Sequence, residues 1–173
     1  MQKKLNLGCG PDIKRGYINL DFSKFSGVDV IHNLNKYPWP FKNNEFDEVY
    51  CSHLLEHLED LVEVMKEIKR ICKDNAKIVI RVPHFSCGVS YRDPTHKRLF
   101  SYFTFDYFTE ECFYKNMPQF IIAKRKLNFT RINFTFLNCL FNPIINLVPL
   151  IYERLFCWIL PCAEVLFVLR VRK

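Results

Sequence analysis

The sequence predicts an α/β fold: one domain over residues 1–173, built on a doubly wound, mostly parallel sheet of seven strands. Three observations carry this. Leu5-Asn6-Leu7 alternates like a short buried strand and runs straight into Gly8-Cys9-Gly10. There the missing side chains let the backbone turn tightly and approach a bound molecule. Tyr17-Ile18-Asn19-Leu20-Asp21 alternates again and ends on a carboxylate, at the edge where such sheets bind ligands. Residues 45–83 read strand, helix, strand, an order that implies a parallel pair with a right-handed crossover.

Pro11 to Gly16 leaves room for a turn or two of helix, closed by Gly16. Asp21, at the tip of the second strand, is placed to accept hydrogen bonds from ribose hydroxyls; the alternative is a solvated strand-end acid. Val28–Ile31 reads as the third strand, followed by His32-Asn33-Leu34-Asn35. Tyr37-Pro38-Trp39-Pro40-Phe41 holds two prolines in three residues, which forbids helix. It reads as an aromatic loop that either covers a ligand or packs on the core.

Glu45–Cys51 gives the fourth strand. Leu58, Leu61, Val62, Met65, Ile68 and Ile71 then recur at helical spacing through Cys72. Acids crowd the start of this helix and bases its end, as the helix dipole prefers, and Asp74-Asn75 stops it. His57 is expected to pack or cap in its first turn. Ala76–Pro83 is the clearest strand, β-branched and central. His84 to Arg98 leaves the same sheet edge as a loop carrying His84, Ser86, Tyr91, Arg92, Asp93, His96, Lys97 and Arg98. Phe100–Phe113 is aromatic and reads as helix from about Asp106. Phe120–Phe129 and Glu164–Val171 read as the last two strands.

Between those strands lies the apolar segment 130–162, expected as a helical insertion or lid. Ile132–Tyr152 carries no charge, long enough to raise a transmembrane helix. Asn133, Asn138, Asn142 and Asn146, with Pro143 and Pro149, argue against one. Helices lying on the protein and dipping into a bilayer surface through residues 132–161 fit better. A core-covering or homodimer-forming insertion is the competing expectation.

The formal charge of +7 is unevenly placed: residues 120–173 hold 8 Lys and Arg against 2 acids. A basic, apolar tail on a near-neutral body points to an anionic surface or an acidic substrate. It does not point to nucleic acid, because the tail's aromatics are mixed with Leu, Ile and Pro. The 8 Cys form no CxxC pair; most, including Cys51, Cys72, Cys139 and Cys157, sit in apolar runs. They read as reduced, buried residues of a cytoplasmic protein. No signal peptide is expected ahead of the first strand.

These pieces together resemble a class I S-adenosylmethionine-dependent methyltransferase, of the small kind found with surface-polysaccharide genes. The resemblance rests on Leu5-Asn6-Leu7-Gly8-Cys9-Gly10, Ile18-Asn19-Leu20-Asp21, Phe46-Asp47-Glu48-Val49 with His53-Leu54-Leu55-Glu56-His57, and Asp93-Pro94-Thr95-His96. It implies a Rossmann-like sheet and S-adenosyl-L-methionine as cofactor. Gly8, Cys9 and Gly10 would approach the methionine part with their backbone, and Asp21 would hold the ribose. Asn33 and Leu34 would sit by the adenine, Ser52 and His53 near the sulfonium. Asn6 stands where the family has an acid, so its contact with the ammonium would be dipolar. Asp12 replaces the third glycine, and the spacing from Gly8 to Asp21 is short.

Methyl transfer is an in-line displacement at an activated carbon, so positioning supplies most of the rate. A hydroxyl acceptor also needs a base. His84 or His96 is the expected base, with His53 a further candidate and Asp93 able to orient one of them. No resident metal is assigned; His84, Asp93 and His96 as a metal set is the lesser alternative. The expected acceptor is a small molecule, a sugar or a lipid-linked saccharide. A non-catalytic partner subunit on a degenerate fold is the competing function. A nicotinamide-dependent oxidoreductase fits poorly, since the glycine that lets a dinucleotide-binding helix pack close is missing.

Overall fold

The computed structural model describes residues 2–114 and 116–173. Seven strands form one sheet: β1 Lys4–Leu7, β2 Ile18–Asp21, β3 Val30–Ile31, β4 Phe46–Ser52, β5 Cys72–Pro83, β6 Phe120–Asn128 and β7 Glu164–Val171. Their order is β3-β2-β1-β4-β5-β7-β6. β1 to β5 are mutually parallel, and β7 runs antiparallel between β5 and β6. The strand order reverses between β1 and β4. The carboxyl ends of those two strands therefore diverge into opposite crossovers and leave a crevice, the usual ligand position in such sheets.

Alternation explains the strands. Leu5 and Leu7 of β1 and Val49 and Cys51 of β4 are fully buried, and their register places Leu5 beside Val49 and Leu7 beside Cys51. Helix α1, Leu61–Ile71, is capped by Asp60, whose side chain accepts from the Val62 and Glu63 N–H groups. Its Val64, Met65, Ile68 and Ile71 cover the sheet. The remaining regular pieces before β6 are short: α2 Val89–Arg92 and a 3₁₀ turn at Thr104–Phe108.

Several expected elements come out shorter or displaced. The β1–β2 connection is turns, with no helix. The third strand is Val30–Ile31 alone. The expected helix over the aromatic run is the 3₁₀ turn. β5 starts at Cys72, because Asn75 takes φ +58° and the resulting irregularity lets Cys72 pair with Phe46 ahead of the main ladder. The aromatic loop packs on the core. Trp39 is 2% exposed; its indole N–H donates to the Leu34 carbonyl and its backbone N–H to Glu67 Oε2. Arg70 clamps the loop through the Trp39 and Phe41 carbonyls.

The insertion holds α3 Asn138–Leu147, α4 Pro149–Ile151 and a π turn at Tyr152–Phe156. Its asparagines explain its placement. β6 is an edge strand, and an edge leaves unpaired main-chain groups. Asn146 accepts from the Leu127 N–H and donates to the Leu127 carbonyl. Asn142 accepts from the Phe129 N–H. Asn138 accepts from the Thr130 N–H and donates to the Thr130 carbonyl. Spaced four apart, the three lie on one helical face and stitch α3 along the end of β6. The opposite face carries exposed Leu140, Ile144 and Leu147. No single described helix is long and apolar enough to cross a membrane; the two arms, Thr135–Leu147 and Pro149–Phe156, meet at a bend of 98°. Among the cysteines, Cys139 is exposed and Cys87 and Cys112 are half-buried, rather than buried as expected.

Candidate functional site

The carboxyl edge of β1, β2 and β4 gathers the glycine turn, Asp21 and the Ser52–His57 segment. Gly8 and Gly10 take φ +64° and +49°, the left-handed region that glycine enters without strain. A Cβ on Gly10 would meet nothing within 4 Å, so that side of the turn is open. A Cβ on Gly8 would lie 2.6 Å from a Leu54 methyl. Leu54 thus rests against Gly8, and the turn needs glycine there for a contact within the protein. Asp21 is 6% exposed. Its Oδ2 accepts from the Gly10 N–H at 2.8 Å and its Oδ1 from the Ser23 N–H at 2.9 Å. Each oxygen keeps capacity for one more donor, so the carboxylate is aimed and rigid before any ligand arrives.

Two neighbours carried no signal in the sequence pattern. Phe22 and Ile31, at the ends of β2 and β3, are 76% and 56% exposed. Large apolar side chains this exposed beside a fixed carboxylate offer a flat surface to a ring. A period-two reading sees only strand ends there.

Beyond β4 the chain turns at His53, which holds φ +51°, an uncommon state for a residue with a Cβ. The His53 N–H donates to the Arg81 carbonyl, and the ring sits between two acids. Its Nδ1 lies 3.3 Å from Glu56 Oε1 and its Nε2 3.3 Å from Glu164 Oε2. Burial works against the charged ring, but the Glu164 and Glu56 carboxylates outweigh it and hold the pKa above the usual histidine value. Nε2 is bonded to Glu164 and Nδ1 faces the Glu56 carboxylate, so His53 is poorly placed to take a proton from an acceptor.

Other expected site residues are spent inside the protein. Asn6 is buried and donates both amide hydrogens, to the Asp12 carbonyl and to Asn19 Oδ1. It ties the glycine turn to β2 rather than presenting a dipole to an ammonium group. Leu34 is 4% exposed and belongs to the core beneath Trp39. Asn33 is exposed and its side chain accepts from the Asn35 N–H. Ser52 ends β4 beside Arg81. His84 is fully buried; its ring bonds Ser86 Oγ at 2.7 Å and Glu153 Oε1 at 3.1 Å. That bond fastens the insertion to the end of β5 and leaves His84 no route to an acceptor. Burial works against the Glu153 carboxylate, but His84, the Tyr102 N–H and the Ser101 hydroxyl keep its pKa low.

The 84–98 loop therefore does not gather His84 with His96 and Asp93. His96 instead packs edge-on against His57, ring centroids 4.7 Å apart, with Asp93 Oδ2 3.8 Å from His96 Nε2. His57 lies in the turn ahead of α1, not within the helix. A separate cleft of about 640 Å³, lined by Phe103, Tyr107 and Arg125 among others, is at the other end of the sheet. Its Phe120 pairs with Val171, near the start of the β5 ladder.

A family model described as a methyltransferase domain matches residues 5–80. No curated protein matches the chain in sequence. A SAM-dependent methyltransferase from Archaeoglobus fulgidus superposes with a TM-score of 0.60 at 20% identity, over 98% of this chain and 86% of that one. The YcgJ protein from Bacillus subtilis gives 0.61 at 13% identity, over 99% and 92%. Phosphoethanolamine N-methyltransferase 2 from Haemonchus contortus, solved with S-adenosyl-L-methionine, gives 0.60 at 16% identity, over 99% of this chain and 48% of that one. At these identities the likeness to solved structures is one of fold.

Proposed function

We propose that the chain, whose residues 5–80 match the methyltransferase-domain family model, is a class I S-adenosylmethionine-dependent methyltransferase that methylates a hydroxyl oxygen of a saccharide or lipid-linked saccharide at a membrane surface. The observation that carries the cofactor reading is the Asp21 carboxylate, preset by the Gly10 and Ser23 N–H groups beside the open face of Gly10. A vicinal diol needs such an acceptor pair. Bound S-adenosyl-L-methionine supplies an activated methyl carbon. Asp21 holds the ribose, Phe22 and Ile31 flank the adenine with Asn33 at the rim, and the Gly8-Cys9-Gly10 backbone meets the methionine end. Leu54, resting on Gly8, sets the floor of the pocket and keeps water from it. Ser52 and His53 line the side toward the acceptor.

The acceptor reading is supported by polar side chains on the same edge, His57, Asp93 and His96, which can hold and deprotonate a hydroxyl. The surface reading is supported by the insertion. Its asparagine face is bound to β6, its outer face is apolar, and Lys124, Lys126, Arg131 and Arg154 flank it. An apolar face rimmed by cations suits an anionic bilayer.

Equilibrium dialysis with S-adenosyl-L-methionine tests the first step. Binding in the micromolar range, weakened at least tenfold in Asp21→Ala, is expected. No uptake at millimolar cofactor would instead favour a non-catalytic subunit. Transfer of labelled methyl to lipid-linked or free oligosaccharides, with the product linkage read by mass spectrometry, tests the acceptor; label on nitrogen would overturn the oxygen assignment.

A further inference from the structure

We propose that Glu56, His57 and His96 hold a divalent transition-metal ion. The starting point is Glu56. Its side chain is completely buried, and neither carboxylate oxygen accepts a hydrogen bond. Leaving a buried carboxylate without donors is among the more costly arrangements in a folded chain. The one polar group facing it from its own segment, His53 Nδ1, stands 3.3 Å away without hydrogen-bond geometry and shares its charge with Glu164.

The two imidazoles nearby are held in the tautomer that a metal needs. His57 Nδ1 lies 2.8 Å from Thr95 Oγ1, and that hydroxyl already donates its hydrogen to Asp93 Oδ1 at 2.6 Å. The hydroxyl can therefore only accept from His57, which puts the ring proton on Nδ1. His96 Nδ1 lies 3.3 Å from the Ser90 carbonyl, which also can only accept. In both rings Nε2 keeps its lone pair. Ligating histidines are characteristically held this way, by a hydrogen bond from the nitrogen that does not bind. One donor atom from each of Glu56, His57 and His96 lies within 4.8 Å of the other two. The Lys97 N–H donates to the Glu56 carbonyl at 2.7 Å, which pins the histidine loop against the acid.

Two imidazoles and one carboxylate select borderline ions such as zinc, cobalt or iron(II) over calcium and magnesium. The ion neutralises Glu56. With three protein ligands it keeps coordination positions for solvent or an acceptor oxygen; that last use rests on the methyl-transfer reading, whereas binding of the ion does not.

Chelator-stripped full-length protein titrated with cobalt(II) in the absence of cofactor tests this. One equivalent should bind, with visible d–d absorption and no intense near-ultraviolet thiolate band, and zinc should displace it. Glu56→Gln and His96→Ala should each weaken binding at least a hundredfold. Thr95→Val leaves all three ligands in place and should weaken it about tenfold by releasing the His57 ring. Circular dichroism of each variant separates lost binding from lost folding. Absence of the cobalt spectrum in the unaltered protein would overturn the proposal, as would a thiolate band or an affinity that Thr95→Val and Glu56→Gln leave unchanged. Methyl transfer is not part of the readout, so the proposal stands or falls apart from it.

Discussion

Glu164 opens β7 with a side chain 1% exposed, and it collects the charges of three other segments. Its Oε1 accepts from Arg81 Nη2 of β5 at 2.6 Å and from Asn128 Nδ2 of β6 at 2.9 Å. Its Oε2 faces His53 Nε2 at 3.3 Å, with Arg131 Nε at 4.0 Å. Burial works against the charged form, but these donors win and pull its pKa down to about 2. Against an ordinary value of about 4.5, a gap near 2.5 units corresponds to about 3 kcal/mol of folding stability. The folded pKa is the lower one, so this stability is present above pH 4.5 and is lost as pH falls toward 2. Roughly half should remain at pH 3. Glu164→Gln removes the titration and leaves Arg81 facing a neutral amide. Urea unfolding at pH 7 should show it less stable by about 3 kcal/mol, and at pH 3 by about 1.5 kcal/mol. A gap that stays constant between those pH values would show that Glu164 acts through packing or neutral hydrogen bonds, and would refute the electrostatic account.

Gly8→Ala puts a Cβ on φ +64° and 2.6 Å from Leu54; the backbone part alone should cost about 1–2 kcal/mol in thermal unfolding. Adding Leu54→Ala should relieve the clash but not the backbone part, leaving the double variant's cofactor affinity low. Glu67→Ala strips the Trp39 N–H and Arg70 of their buried partner and should destabilise by about 2–3 kcal/mol, read by denaturant titration. Glu153→Ala cuts the insertion from His84, Ser101 and Tyr102; limited proteolysis should then cleave within residues 130–162 while the sheet survives. Leu147→Asp with Leu150→Asp should abolish sedimentation with anionic vesicles and leave thermal stability unchanged, since both residues are exposed.

Local periodicity sufficed wherever one face of an element meets the core. β7 spans the residues its alternation marks, and α1 buries Met65, Ile68 and Ile71 of its 3.6-residue repeat, with Val64 and Glu67 buried beside them and Leu61 and Val62 half-buried. It failed where a single backbone state decides. Leu54, Leu55 and Leu58 extend the apolar repeat of α1 toward β4, yet His53 at φ +51° sends that segment into turns. Asn75 at φ +58° does the reverse, carrying polar Lys73-Asp74-Asn75 into a strand that their composition argues against. The site is divided in the same way. That Gly10 and Asp21 meet is readable because two adjacent parallel strands end together at the carboxyl edge, where the Gly10 N–H donates to Asp21 Oδ2. Which histidine does what is not readable, because it depends on partners far along the chain. His84 is claimed by Glu153, 69 residues on, and His57 by Thr95, 38 residues on. A sequence displays the five histidines as equivalents. Only the fold separates the one that anchors an insertion from the two whose free nitrogens stand beside an unpartnered buried acid.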